Sequence, residues 1–169
     1  PQKNLLFVLD NIGEILKERN LSFVLVGPNG KDADLIHTKI NEQNQKLDKE
    51  RIISTGPVAK DLLPKFYSGA DGFIFVSQYE GFGMPVLEAM SCGCPVITSN
   101  VSSLPEVASG CAELINPHDA VEFKNKIRKL LDEGKKDISF YEMPLNTYTW
   151  RNHVDGLSNL LKGTSKNWF

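Results

Sequence analysis

The chain has 169 residues, 41 % of them apolar and 24 % charged, with a formal charge of −2 at neutral pH. That length suits one well-buried core and rarely two. A near-neutral balance without a basic patch interleaved with aromatics argues against nucleic acid as a partner, and no apolar run approaches the ~20 residues of a membrane span.

In chain order, Leu5, Leu6, Val8, Leu9, Ile12, Ile15 and Leu16 share one face of a helix expected to end near Asn20. The helical pattern follows directly on Pro1-Gln2-Lys3-Asn4, so no secretory leader is expected. Ser22 to Val26 is a strand closed by Gly27-Pro28-Asn29-Gly30. Asp32 suits a helix N-cap, and a polar helix runs to about Leu47. Arg51 to Thr55 is a strand closed by Gly56-Pro57, and a helix with Leu62, Leu63, Phe66 and Tyr67 follows. Asp71 to Ser77 is again strand. A loop, a helix ended by Gly93 and the strand Pro95 to Thr98 come next. Ser103, with Glu106 three residues on, predicts a capping box and a short helix. Ala112 to Ile115 is the last strand; Asp119 to Leu131 and Tyr148 to Leu161 are helical. Lys124 to Lys136, the most basic stretch, reads as a helix with a solvated face.

Short apolar runs alternating with amphipathic helices predict one α/β Rossmann-like domain over 1–169, a parallel sheet with helices on both faces. Ligands of such sheets bind beyond the carboxyl ends of the strands. That places Gly27 to Gly30, Gly56 to Val58 and Gln78 to Met84 on one rim, with Gly27 as a candidate donor contact.

The informative stretch runs from Gln78 to Thr98, QYEGFGMPVLEAMSCGCPVIT. Glycines permit close backbone approach and positive φ. Pro85 suits the first turn of a helix. Gly81, Phe82, Gly83 and Met84 therefore deliver backbone N–H groups at a helix N-terminus, suited to an anion. Glu88 stands inside an apolar run, Met84 to Met90, where an ionised carboxylate is costly unless paired. A carboxylate only accepts hydrogen bonds, and vicinal hydroxyls are its natural neutral partner. An anion-ready loop between Glu80 and Glu88 describes a nucleotide-sugar site. Each glutamate alone has a plain structural alternative; for Glu88 it is an N–H cap or a lysine pair.

Tyr79 to Pro95, YEGFGMPVLEAMSCGCP, strongly resembles the signature of retaining glycosyltransferases of the GT-B fold, group 1 (family 4). Phe66 to Asp71, Val96 to Val107, Leu114 to Asp119 and Trp150 extend the resemblance over most of the chain. The resemblance implies the C-terminal, donor-binding half of such a fold. It implies that Glu80 contacts the donor sugar's hydroxyls, Glu88 holds the ribose, and Gly81, Phe82, Gly83 and Met84 face sugar and phosphate. It likewise implies that Lys3 binds the diphosphate and that Val58 lies where the base is gripped. The family's arginine a few residues before that lysine, and its N-terminal acceptor domain, are not in this sequence. The implied partners are a nucleotide-sugar donor, the N-terminal domain, and an acceptor sugar or lipid-linked sugar. The implied reaction retains configuration, in bacterial polysaccharide or glycolipid synthesis, at the cytoplasmic side of the membrane.

No cofactor or metal is expected. Asp32-Ala33-Asp34 matches a metal-binding string of another transferase fold but sits where a cap belongs. His37, His118 and His153 suit surface or capping positions. Cys92, Cys94 and Cys111 are odd in number and read as reduced thiols. The rival readings are a glycosidase, to which a phosphate-ready loop is useless, and a nucleotide-binding or interaction module without catalysis.

Overall fold

The computed structural model describes residues 2–28, 30–47, 49–149, 151, 152, 154, 155, 158 and 159. Trp150 and His153, and much of the helix expected from Tyr148 to Leu161, lie outside the described residues. The elements are α1 (Leu5–Glu18), β1 (Phe23–Val26), α2 (Ala33–Lys46), β2 (Ile52–Gly56), α3 (Leu63–Gly69), β3 (Phe73–Phe75), α4 (Met84–Ser91), β4 (Val96–Ser99), α5 (Leu104–Ala108), β5 (Glu113–Ile115), α6 (Ala120–Glu133) and α7 (Glu142–Thr147). Short 3₁₀ turns cover Lys60–Leu62 and Ile138–Tyr141. The second of these and α7 were not anticipated; Ile138 to Thr147 mixes aromatics, a proline and polar residues without a helical stripe. No helix among the described residues is long and apolar enough to cross a membrane.

All strand pairs are parallel, and helices lie on both faces. Ile97 of β4 joins the core formed by Val8, Leu9, Ile12, Ile15 and Leu16 of α1 with Phe123, Ile127 and Leu130 of α6. Its neighbour Val96 joins a second core with Val86, Leu87, Ala89 and Met90 of α4 and Leu104, Val107 and Ala108 of α5. Successive residues of a strand point to opposite faces, so one strand serves both cores. The acids of α1 also meet the bases of α6. Arg128 contacts Glu14 and Glu18 at 2.8 and 2.9 Å, Lys124 contacts Glu14 at 2.6 Å, and Arg19 contacts Asp132 at 2.7 Å. The basic stretch expected to be merely solvated is thus part of a helix–helix seam, although each exposed pair is worth at most ~1 kcal/mol.

Hydrogen bonding divides the strands into two sheets, β1-β2 and β3-β4-β5, where the sequence predicts one. The cause is visible in the ladders. Phe23 and Gly27 N–H donate toward β2, so Val24 and Val26 point their N–H groups to the opposite edge. Phe73 N–H donates to Pro95 toward β4, so Ile74 and Val76 point away. No described strand lies along either of these edges. The β3 edge meets the chain ahead of α1 only at its end, where Gln78 N–H donates to the Gln2 carbonyl at 2.9 Å. The core around α1 nevertheless takes Ile52 from β2 together with Val76, Ile97 and Ile115. Apolar packing on α1 therefore unites what the hydrogen bonds leave in two pieces.

In hydrogen exchange of the 169-residue chain, the amides of Val24, Ile74 and Val76 are expected to exchange faster than those of Phe73 and Phe75, which donate into a ladder. Equal protection would show that the two edges are covered.

Candidate functional site

The site is built where β3 and β4 end and α1 and α4 begin. The polypeptide leaves the β3–β4 ladder through buried hydroxyls. Thr98 Oγ1 donates to the Phe75 carbonyl at 2.8 Å and Ser99 Oγ to the Ser77 carbonyl at 2.7 Å. Ser77, Thr98 and Ser99 are all fully buried. These bonds tie the end of β3 to β4 where the ladder ends.

Glu80 lies just beyond, and its side chain is 14 % exposed. One oxygen, Oε1, accepts from Lys3 Nζ at 2.7 Å and from Ser77 Oγ at 2.8 Å. Its backbone is held as firmly. Ser102 Oγ and Ser103 Oγ both donate to the Glu80 carbonyl, and Ser103 also reaches the Phe82 carbonyl at 2.8 Å. Ser102 is one of four non-glycine residues at positive φ among those described, at 60°. That conformation costs roughly 1–2 kcal/mol for an L-residue, and here it accompanies a hydroxyl aimed at the loop. The capping box expected from Ser103 and Glu106 is not formed: Ser103 makes no side-chain capping bond to α5. Its hydroxyl is committed to the glycine loop instead.

The other wall is the start of α1. Asn4 adopts a left-handed conformation, φ 56°, at the N-cap, which asparagine tolerates better than most residues. Its amide donates to the Pro117 carbonyl at 2.7 Å and its Oδ1 receives Gln78 Nε2 at 3.3 Å. Gln2 Nε2 donates to the Tyr79 carbonyl at 3.0 Å. With both neighbours fixed, Lys3 projects beside Glu80, its ammonium 4.6 Å from the centre of the Phe75 ring. Sequence analysis identified Lys3 and Glu80 but not Asn4, Ser77, Ser102, Ser103 or Phe75. The positions of those hydroxyls and of the ring depend on strands distant in sequence.

Gly83 is the N-cap of α4, with φ 107°, and an added Cβ would come 2.7 Å from Leu104 Cδ2. Both the backbone conformation and the close approach require glycine. Gly81, by contrast, faces open space. The eight-residue α4 has no acidic residue in its first turn and carries Pro85 there; the Val86 N–H is taken by the Gly83 carbonyl at 2.9 Å, and the positive pole of the helix favours an anion at this end. Phe82 packs edge-on against Tyr148, ring centres 5.3 Å apart, while the Met84 side chain is exposed.

Glu88 is not buried. On α4 its neighbours Val86, Leu87, Ala89 and Met90 face the core, and Glu88 occupies the exposed side. The apolar run is thus the buried stripe of a short helix, and the carboxylate escapes the desolvation that its sequence neighbours imply. Its Oε2 accepts from the Tyr67 hydroxyl at 3.0 Å. Gly27 and Val58 lie on the loops after β1 and β2. The Gly27 N–H is taken by the Gly56 carbonyl at 3.0 Å, and no recorded contact joins either residue to the two glutamates. Asp32 takes the N-cap position of α2, where no side-chain capping bond is formed. His37 and His118 are exposed, and Cys92, Cys94 and Cys111 are free thiols. No three His, Cys, Asp or Glu side chains gather as a metal site among the described residues.

Known proteins share both the sequence and the fold. A serotype-specific mannosyltransferase, WbdA, of Escherichia coli is 34 % identical over 131 residues, covering 71 % of this chain and 16 % of that protein. The O-antigen chain mannosyltransferase B of Escherichia coli is 34 % identical over 142 residues, covering 82 % and 36 %. The chain thus spans well under half the length of these curated relatives. The crystal structure of an alpha,alpha-trehalose-phosphate synthase (UDP-forming) from Burkholderia vietnamiensis superposes with a TM-score of 0.81 at 15 % identity, over 98 % of this chain and 42 % of that one. The fold is therefore that of a GT-B glycosyltransferase domain, as the resemblance of Tyr79 to Pro95 implies, within the parallel α/β class that the alternating pattern predicts. Residues 1–133 match the family of glycosyl transferases group 1, and the chain belongs to that family.

Proposed function

We propose that this chain is the donor-binding part of a glycosyltransferase that moves a sugar from a nucleoside diphosphate to an acceptor hydroxyl with retention of configuration, in bacterial polysaccharide or glycolipid synthesis. The observation that carries the reading is the Lys3–Glu80 pair at the amino end of α4. It puts a cation and a carboxylate beside the loop that leads into a helix N-terminus. In the proposed complex the carboxylate of Glu80 takes donor-sugar hydroxyls, and Glu88 takes the ribose hydroxyls. Lys3 turns to the diphosphate, and the Gly81–Met84 backbone lies along sugar and phosphate. Val58 and Gly27 stand on the side of the base.

In the reaction the bond from the anomeric carbon to the diphosphate breaks, and the acceptor oxygen bonds to that carbon on the same face. The acceptor proton passes to the departing diphosphate oxygen. Negative charge grows on that oxygen, and preorganised donors offset it best in a water-poor cleft. Lys3 and the α4 terminus supply them here. They do so without a metal, and no protein nucleophile is required, so Glu80 positions the sugar.

The activity needs a larger protein, with an N-terminal domain carrying the acceptor sugar or lipid-linked sugar and a strand laid between β1 and β3. The small share of its relatives' length that the chain covers, and the two open parallel edges, support this. Catalysis on the cytoplasmic side of the membrane fits a nucleotide-sugar donor.

The test is transfer by the full-length protein from a panel of nucleotide-sugars. Lys3→Ala is expected to lower kcat about 10²-fold, the size of effect seen when one transition-state donor is removed. Glu88→Ala is expected to raise donor KM, with the fold retained. A chelator should leave the wild-type rate unchanged; a rate lost to chelation and restored by a divalent ion overturns the metal-free reading. The isolated 169-residue chain should show no turnover. A full-length protein that binds donors and never transfers them would favour a binding module.

A further inference from the structure

The two glutamates of the site are the ends of one line of contacts. Lys3 sits between Glu80 and the face of Phe75. Phe75 stacks on Phe73 at 5.8 Å, and Phe73 meets the Tyr67 ring edge-on at 5.2 Å. Tyr67 then donates its hydroxyl to Glu88. Tyr67 belongs to α3, and Glu88 to α4. No residue of α3 is otherwise part of the site.

We propose that Tyr67 is the positioning residue for Glu88: its hydroxyl fixes one carboxylate oxygen, so that the other is presented to the vicinal hydroxyls of the nucleotide's ribose. This rests on the proposed function. A glutamate on an exposed helix face is free to sample its rotamers, and ordering it on ligand binding costs entropy. Here the cost is met before ligand arrives. The Tyr67 ring is packed against Phe73 and half-buried, which fixes the hydroxyl in place. Burial, and then the Glu88 carboxylate, push the phenol well above its ordinary pKa. It remains a proton donor at any working pH, and Glu88 Oε2 can only accept. Oε1 has no recorded partner among the described residues. The carboxylate is thereby left with one oxygen for the ligand.

A positioning role predicts a loss in binding rather than in chemistry, because ribose contacts are equally strong in ground and transition states. In the full-length protein, calorimetry with UDP, GDP and ADP identifies the nucleoside diphosphate that binds best. Tyr67→Phe, which keeps the ring and removes the hydroxyl, should weaken that binding about 3- to 10-fold and raise donor KM by a similar factor. It should change kcat less. Added to Glu88→Ala, which leaves the hydroxyl no acceptor at that position, it should cost nothing further. Wild-type affinity in Tyr67→Phe beside weakened binding in Glu88→Gln overturns the positioning role and leaves the donor site standing. Wild-type affinity in Glu88→Gln overturns the donor assignment itself. Should Tyr67→Phe lower stability, 19F NMR of the otherwise wild-type protein carrying 3-fluorotyrosine decides. The Tyr67 signal should move on adding the diphosphate, and a stationary signal overturns the proposal.

Discussion

Lys3 and Glu80 are 77 positions apart in sequence, and their 2.7 Å contact is the constraint around which the site is arranged. The contact is worth little as stability, since the lysine side chain is more than half exposed. Its importance is geometric. It marks where the amino end of α1 meets the carboxyl end of β3, the junction from which the glycine loop and α4 lead off. Asn4 in its left-handed conformation and the Gln2–Gln78 backbone bond hold one side. Ser77, Ser102 and Ser103 hold the other.

This arrangement separates rigidity from chemistry. The loop from Glu80 to Gly83 contains two glycines, yet its carbonyls are tied down by hydroxyls from the α5 side, and Gly83 is wedged against Leu104. A flexible composition is therefore held in one shape. Lys3 and Glu80 already satisfy each other in this structure. In the proposed donor complex, binding exchanges partners, so no charge has to be desolvated alone.

Much of this was legible in the sequence because it depends on local rules. Phe23-Val24-Leu25-Val26 and Val96-Ile97-Thr98 read as strands, Asp119 to Leu131 as a helix, and Gly93 as the stop of α4, which it makes at positive φ. Two readings went wrong in the same way. Ser103 was assigned to its own helix and serves a loop 21 residues away in sequence. Glu88 was read as set among apolar neighbours, where burial is costly, yet it lies on the open side of the helix whose other face is the core. The alternation of elements gave the parallel α/β fold, but alternation reports that strands exist and not which edges meet, so the division of hydrogen bonding into two sheets was not legible.

The sequence by itself determined the element order as far as α6, the parallel α/β class, the family and the two glutamates, because periodicity, caps and a glycine-rich loop act over a few residues. Only the tertiary structure decided which hydroxyl serves which carbonyl, that Lys3 lies between Glu80 and the Phe75 ring, and that Tyr67 holds Glu88. Those pairings lie 21 to 77 residues apart. They are set by how helices lie on strands, a property of packing that no local pattern encodes.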